Sequence, residues 1–276
     1  MGYEETIQIL ARAGIPSPRL EARLLIGHIL GIPADSVSTC TVLADGDKKK
    51  LQSALEKRLN HTPLDKILGY KEFYKYTFAT SEDVLSPRPD TEILLEAVLK
   101  NTPAPHNILD LGTGSGCLAL SLLKEYQNAH AVGVDISQKA LNIAIQNAQN
   151  LGVAERFEPL CADWFAPDFL NCFSSLFDLI ISNPPYIPTE DISSLSLEVQ
   201  KHDPFTALDG GKDGLNSYKR LAEITPCLLQ KNGFLALEAG INQALSIQHI
   251  FENAGLKHFA TFKDLSGIER TLLFQK

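Results

Sequence analysis

From Asn107 onward, short apolar runs alternate with longer stretches of helical character. Asn107–Leu111, Ala129–Val134, Phe157–Cys161 and Leu176–Ser182 have the length and composition of buried strands. Cys117–Leu123 and the segment from Ser137 onward predict helices between them. Strands that alternate with helices in this way predict a mostly parallel sheet covered on both faces. Leu256–Phe262 and Arg270–Phe274 predict two closing strands, and no internal repeat is visible.

The beginning of the chain has a different rhythm. Tyr3–Ala13 is amphipathic and stops at Gly14-Ile15-Pro16. Ser17 is placed to cap a second helix, with Pro18 at its first position, running to Leu30 and ending at Gly31. A third helix is expected over Asp47–Leu59. Thr62-Pro63 marks a boundary, after which Phe73–Phe78 is strand-like and continues to Leu85, predicting a hairpin linker. A helix over Asp90–Leu99 opens the α/β part. The expected organisation is a helical domain over residues 1–70, a hairpin linker over 71–87 and an α/β domain over 88–276.

Composition narrows the function classes. The chain has 276 residues, of which 44% are hydrophobic, enough for a sizeable core. Its net charge of -8 and pI near 5.4 argue against a general nucleic-acid or membrane-surface binder. Residues 1–80 carry 11 Lys+Arg against 9 Asp+Glu, so the acidic balance lies in the later part. Five cysteines without a C-x-x-C pair, and seven scattered histidines, give no metal-ligand spacing and fit reduced packing residues. Neither a signal peptide nor a bilayer-length apolar run is apparent, so a cytoplasmic location without membrane attachment is expected.

Two motifs carry the chemistry. Asn183-Pro184-Pro185-Tyr186 follows the apolar run 176–182. Both prolines lack a backbone N–H and fix φ, and they push Asn183 and Pro184 towards extended conformations. The result is a stiff turn that offers carbonyl oxygens, one side-chain amide and one ring, a set suited to a planar amine or amide. Upstream, Asn107–Leu111 runs into Gly112-Thr113-Gly114-Ser115-Gly116 and then a helix. Strand, glycine turn and helix is how nucleotide-type ligands are held in α/β sheets. The spacing is neither that of a dinucleotide fingerprint nor that of a Walker loop, and a tight structural turn is the plain alternative. Asp135, about 20 residues beyond the loop, can accept from ribose hydroxyls; it can also cap the next helix.

Together these residues resemble class I S-adenosylmethionine-dependent methyltransferases. More closely, Leu85-Ser86-Pro87-Arg88-Pro89-Asp90-Thr91-Glu92, the 110–116 loop, Asp163-Trp164-Phe165, Asn183–Tyr186 and Ala207-Leu208-Asp209-Gly210-Gly211-Lys212-Asp213-Gly214-Leu215 resemble the protein-(glutamine-N5) methyltransferase family, in its release-factor branch. The resemblance runs from the N-terminal helices to Arg270. It implies a Rossmann-like, mostly parallel seven-stranded sheet with an antiparallel final strand, and a small helical domain that presents a protein substrate. It also implies S-adenosyl-L-methionine as methyl donor, S-adenosyl-L-homocysteine as product, and a glutamine in the Gly-Gly-Gln loop of class 1 peptide chain release factors as acceptor.

The roles implied by the resemblance fall into two halves. On the donor side, Gly112, Thr113, Gly114, Ser115 and Gly116 pass along the methionine part, Asp110 meets its ammonium or anchors the turn, Asp135 takes the ribose, and Asp163 and Trp164 flank the adenine. On the acceptor side, the Asn183 side-chain oxygen and the Pro184 carbonyl each accept one amide hydrogen, and Pro185 and Tyr186 complete the pocket, with Tyr186 against the amide plane. Asn183 borders both halves. Phe73 and Arg88 are placed near the substrate mouth, with hairpin packing and a surface ion pair as their plain alternatives. Neither a metal nor a strong general base is called for, since the sulfonium is already a good leaving group. Two residues depart from the family pattern: Lys66 where tyrosine is frequent, and Asp203-Pro204 in place of Glu-Pro. The competing readings are a ribosomal-protein glutamine methyltransferase, a nucleic-acid exocyclic-amine methyltransferase using a flipped base, and a non-catalytic donor-binding scaffold. No basic stripe or target-reading domain supports the nucleic-acid reading.

Overall fold

A computed structural model describes residues 1–276, which separate into two units: Met1–Tyr70 with Ser196–His202, and Lys71–Leu195 with Asp203–Lys276. In the first unit, α1 (Tyr3–Arg12), α2 (Pro18–Leu30), α3 (Asp45–Leu59) and α4 (Leu64–Leu68) bury Leu10, Ala22, Leu25, Ile26, Leu51 and Leu55. Pro18 opens α2 as its position predicts, but the Ser17 side chain makes no capping bond. The short α4 falls where the sequence showed only a boundary.

A buried arginine explains why residues 196–202 belong to this unit. Arg58 is 4% exposed. Its guanidinium donates through Nε to Glu21 Oε2 at 2.7 Å and through Nη2 to Glu21 Oε1 at 3.0 Å. Its remaining nitrogen donates to Glu198 Oε1 at 2.6 Å. A forked guanidinium is geometrically matched to a carboxylate, and burial makes loss of either partner costly. The Lys66 ammonium adds a bond to the His202 carbonyl. No local pattern announces a pairing across 140 positions of sequence.

The second unit begins with a hairpin. The expected hairpin is present, but its strands differ from the expected run over 73–78 continuing to Leu85: β1 (Tyr70–Phe73) and β2 (Tyr76–Ala79) are separated by a turn at Tyr74-Lys75. Tyr74 takes φ 56°, and its N–H donates to Glu92 Oε1 at 3.0 Å. An apolar, aromatic-rich run reads as one strand by composition, while a side-chain acceptor from a distant helix holds the reversal.

The remaining elements are α5 (Pro89–Asn101), β3 (Asn107–Leu111), α6 (Cys117–Glu125), β4 (His130–Asp135), α7 (Gln138–Asn150), β5 (Phe157–Cys161), β6 (Phe177–Ser182), α8 (Leu197–His202, in the first unit), α9 (Asn216–Leu228), β7 (Leu229–Glu238), α10 (Ala244–Asn253), β8 (Lys257–Lys263) and β9 (Glu269–Gln275). The seven-stranded sheet has the order β5-β4-β3-β6-β7-β9-β8. Its strands pair in parallel from β5 to β7, and β9 inserts antiparallel to both β7 and β8.

Strand alternation builds two cores. Ile108, Leu179, Ile181 and Ala236 face α5, α6 and α7. Leu109, Leu111, Ile180, Leu235 and Leu237 face α9 and α10. Each strand is thus apolar on both faces, which is why it reads as a continuous run rather than an alternating one. From β3 the chain winds outward through β4 to β5, then returns to place β6 on the other side of β3. The β3–β6 boundary is therefore the topological switch point, where a crevice opens beyond the C-terminal ends of the strands.

Candidate active site

The glycine loop leaves β3 and the Asn-Pro-Pro-Tyr turn leaves β6, so they flank this switch point. Ser182 stands opposite Leu111 in the parallel register, and its hydroxyl donates to the Leu111 carbonyl at 2.6 Å. Gly112, Gly114 and Gly116 take φ of 79°, 55° and 81°, conformations that side chains resist. Gly112 has a second reason to be glycine, because a Cβ there would stand 3.2 Å from the Trp164 ring.

A cavity of about 440 Å³ lies beyond these strand ends, within the usual range for small-molecule sites. Gly112, Gly114, Asp135, Asp163, Trp164, Asn183 and Pro185 all line it. Residues that sequence reasoning did not single out for the site complete the wall, among them Ile136, Pro204, Phe205, Asn216 and Ser217, together with Phe165. Ile136, Phe165 and Phe205 are large apolar side chains more than half exposed. Only their position beside the strand ends marks them.

Asp135 does two structural jobs. Its Oδ2 accepts from Gly114 N and its Oδ1 from Ser137 N, each at 2.9 Å. The cap of α7 itself is Ser137, whose hydroxyl accepts from Ala140 N. Burial raises the Asp135 carboxyl above its ordinary range, and the backbone donors oppose that rise. Each oxygen keeps acceptor capacity for a further donor.

Asp110 sits beneath the loop rather than on the cavity wall. It is 1% exposed. Its Oδ2 accepts from the Thr113 hydroxyl at 2.8 Å and from Ala119 N at 3.3 Å, while Oδ1 is buried without a protein partner. Burial pushes its carboxyl up to about 7. Thr113, Ser115 and Gly116 shape the loop from below and do not line the cavity.

On the other side, the Asn183 amide nitrogen donates to Thr91 Oγ1 at 3.1 Å. The Thr91 hydroxyl donates to Glu238 Oε2 at 2.6 Å, and the Tyr186 hydroxyl donates to Glu238 Oε1 at 3.2 Å. Pro184 is buried, and neither it nor Tyr186 is among the residues that line the cavity. The Tyr186 carbonyl accepts from Gln243 Nε2 at 2.9 Å. Residues 207–215 brace the turn from outside: Ile187 N donates to the Leu208 carbonyl at 3.0 Å and Gly210 N to the Ile187 carbonyl at 2.9 Å. Gly214 lies against the same turn, where a Cβ would come within 2.4 Å of the Tyr186 carbonyl.

The two mouth residues go elsewhere. Phe73 is 1% exposed and packs edge-on against Phe78, with ring centroids 6.0 Å apart. Its placement at a substrate mouth is corrected: an aromatic on a hairpin laid over α5 and α6 is drawn into their core. Arg88 does not line the cavity; its guanidinium donates to Asp203 Oδ2 at 2.6 Å. Asp203 is the residue that departs from the family pattern, so its carboxylate has a structural partner in the Pro-Arg-Pro segment. Thr91 lies three residues beyond Arg88, and the resemblance implies no role for it. Glu238 was missed altogether; its signal was a carboxylate closing an apolar strand.

The geometry has now placed a glycine turn, a strand-end aspartate and a proline-rigid amide around one crevice. Residues 75–198 match the family described as Methyltransferase small domain, and residues 3–69 match the PrmC N-terminal domain. A release factor glutamine methyltransferase from Rhodospirillum rubrum is 42% identical over 96% of this chain and 81% of its own length. Another, from Caulobacter vibrioides, is 38% identical over 96% of this chain and 91% of its own. This chain belongs to the release factor glutamine methyltransferase family. Solved structures share the fold at low identity. A methyltransferase from Pyrococcus furiosus superposes with a TM-score of 0.51 at 16% identity, covering 84% of this chain and 99% of its own. A precorrin-6y C5,15-methyltransferase from Geobacter metallireducens gives 0.50 at 14%, covering 72% and 95%. The expected class I methyltransferase fold is thus present in this family member, and the chain is a methyltransferase.

Proposed function

We propose that this enzyme transfers the methyl group of S-adenosyl-L-methionine to the side-chain amide nitrogen (N5) of a glutamine, in the Gly-Gly-Gln loop of class 1 peptide chain release factors. One observation carries the site reading: Asn183 and Pro185 line the same cavity as Gly112, Gly114, Asp135, Asp163 and Trp164. A donor-type loop and an acceptor-type turn open on one space. The names of the full-length relatives support the glutamine and the release factor as acceptor. A cytoplasmic location follows from that substrate.

The residues present fit the donor. Asp135 offers two partly satisfied carboxylate oxygens to a ribose diol. Gly112 leaves its Cβ space to the Trp164 ring, which brings that ring against the loop on the cavity wall. Asp163 and Trp164 supply an acceptor and a flat apolar face for an adenine. Asp110, with one buried oxygen free of protein donors, supports the loop from below, and its ionised form carries charge of the sign an ammonium needs. When bound, the donor supplies an electrophilic methyl group on a sulfonium leaving group.

The acceptor amide is a poor nucleophile because its nitrogen lone pair is delocalised into the carbonyl. Asn183 Oδ1 and the Pro184 carbonyl each hold one amide hydrogen. This turns the lone pair towards the cavity and stabilises positive charge as it develops on nitrogen. Prolines suit this role because they offer carbonyls and cannot compete as donors. The deciding experiment incubates the protein with labelled methyl donor and release factor, then maps the modified residue by mass spectrometry. Label on the Gly-Gly-Gln glutamine is expected. Equal or faster incorporation into DNA or RNA would overturn the reading.

A further inference from the structure

Glu238 stands at the C-terminal end of β7, one position beyond Leu237, which pairs with Ser182. It is 1% exposed and does not line the cavity. Its two oxygens nevertheless meet the two polar side chains of the Asn-Pro-Pro-Tyr turn, one through Thr91 and one directly. A buried carboxyl at this place serves no packing purpose that an apolar residue would not serve better.

We propose that Glu238 and Thr91 are positioning residues that set which face of the Asn183 amide looks into the cavity. The proposal rests on the acceptor role given to Asn183 above. Hydrogen-bond direction carries it. An ionised carboxylate only accepts. Thr91 has one hydroxyl hydrogen, and at 2.6 Å from Glu238 Oε2 that hydrogen is committed. Towards Asn183, 3.1 Å away, Thr91 can then only accept. The amide nitrogen must turn to Thr91, leaving the carbonyl oxygen for the substrate side. Tyr186 donates to the other carboxylate oxygen and holds the arrangement from the opposite end.

Protonation reverses the relay. A protonated Glu238 donates at Oε2, Thr91 accepts there and passes its own hydrogen to Asn183, and the amide turns its nitrogen outwards. A donor then faces the substrate amide hydrogens, the wrong polarity. Glu238→Gln mimics this state: Tyr186 donates to the amide oxygen, so the amide nitrogen falls towards Thr91.

The charged and titratable groups around Glu238 come from five elements. Tyr186 faces it from the turn and Tyr218 from α9, where its hydroxyl donates to the Glu238 carbonyl at 2.7 Å. Arg270 of β9 favours the ionised form, Asp90 of α5 opposes it, and Cys117 of α6 feels its charge. Burial raises Tyr186, Tyr218 and Cys117, so these three stay neutral near pH 7. Burial also pushes Glu238 up to about 7. The relay therefore switches near neutrality and is set for transfer above that pH.

The test is single-turnover methyl transfer to a release factor at saturating donor, from pH 5.5 to 8.5, with donor affinity measured separately. The wild-type rate is expected to rise through an inflection near 7. Glu238→Gln should lose roughly 10- to 100-fold at high pH, lose the inflection and keep donor affinity. Thr91→Val should fall similarly, and Thr91→Ser, which restores the hydroxyl, should recover most of the rate. In an Asn183→Ala background Glu238→Gln should cost nothing further, because the atom it positions is gone. Three results would each overturn the relay: a wild-type rate and inflection in folded Glu238→Gln, a fully active Thr91→Val, or additive losses in the double variant. If Asn183→Ala itself keeps its rate, the acceptor role fails instead, and the two failures are distinct. Circular dichroism establishes the fold of each variant.

Discussion

Two turns stand side by side at the switch point, built from opposite backbone chemistry. After β3, three glycines at positive φ bend the chain and keep every N–H. After β6, two prolines stiffen the chain and remove two N–H groups. The first turn suits close approach of a ligand with carboxylate, hydroxyl and ring groups; the second offers acceptors alone. Each is anchored by a buried carboxyl raised to about 7, Asp110 on one side and Glu238 on the other. The parallel register holds the two turns together, so neither needs a contact specific to the other beyond Ser182 and Leu111. Donor and acceptor functions can therefore be perturbed separately.

The sharpest separation should come from Asn183→Ala. It removes one oriented acceptor and leaves both prolines, so the single-turnover rate should fall about 10²–10³-fold while donor affinity holds. Equal losses in both quantities would merge the two halves into one site and break the comparison.

Asp135→Ala should do the reverse. A hydrogen bond to a charged group is worth about 1.5–3 kcal/mol, so titration calorimetry should show donor affinity falling about 10- to 100-fold in a folded protein. Unchanged affinity would remove Asp135 from the donor side. Gly112→Ala should be smaller and mixed. The left-handed conformation costs a side chain about 1–2 kcal/mol, and the new Cβ must displace Trp164. Lower thermal stability with weakened donor binding is expected, and a fully stable variant would mean that the loop tolerates a side chain at positive φ.

The smallest effect concerns Asp110 and pH. Its folded pKa, about 7, lies above the ordinary value of 3.8. Between these values the native state holds more proton than the unfolded one, so stability falls as pH rises through this window. Asp110→Asn should flatten that slope, and its Tm relative to wild type should improve from pH 5 to pH 8 by a few degrees. A Tm difference independent of pH would show that Asp110 is not buried as a proton-holding group.

Much of the donor side was legible locally. The strand, the glycine turn and Asp135 at the end of β4 follow from short-range pattern, because a Rossmann-like unit brings the ends of consecutive strands together; Asp163 and Trp164 were singled out by the family resemblance. The stiffness of the Asn183 turn was equally legible, since proline acts on its own backbone. The cavity-lining Phe205 and Ser217 were not, and neither was the coreward turn of Phe73: these depend on which distant elements come to lie together.

Sequence alone determined most of the strands and most of the helices, though not β7, together with the glycine and proline turns and the residue types offered at the strand ends, because backbone preference and hydrophobic periodicity act over a few residues. Tertiary structure decided the rest. It placed residues 196–202 in the helical unit through Arg58 and Glu198, split the apparent strand at Tyr74 through Glu92, and paired Arg88 with Asp203. It also joined Asn183, Thr91, Tyr186 and Glu238 into one network, from a helix, a turn and a strand end. The direction of a hydrogen bond depends on which partner has a proton to give, and that is settled only when chain segments far apart in sequence are brought within 3 Å or so of one another.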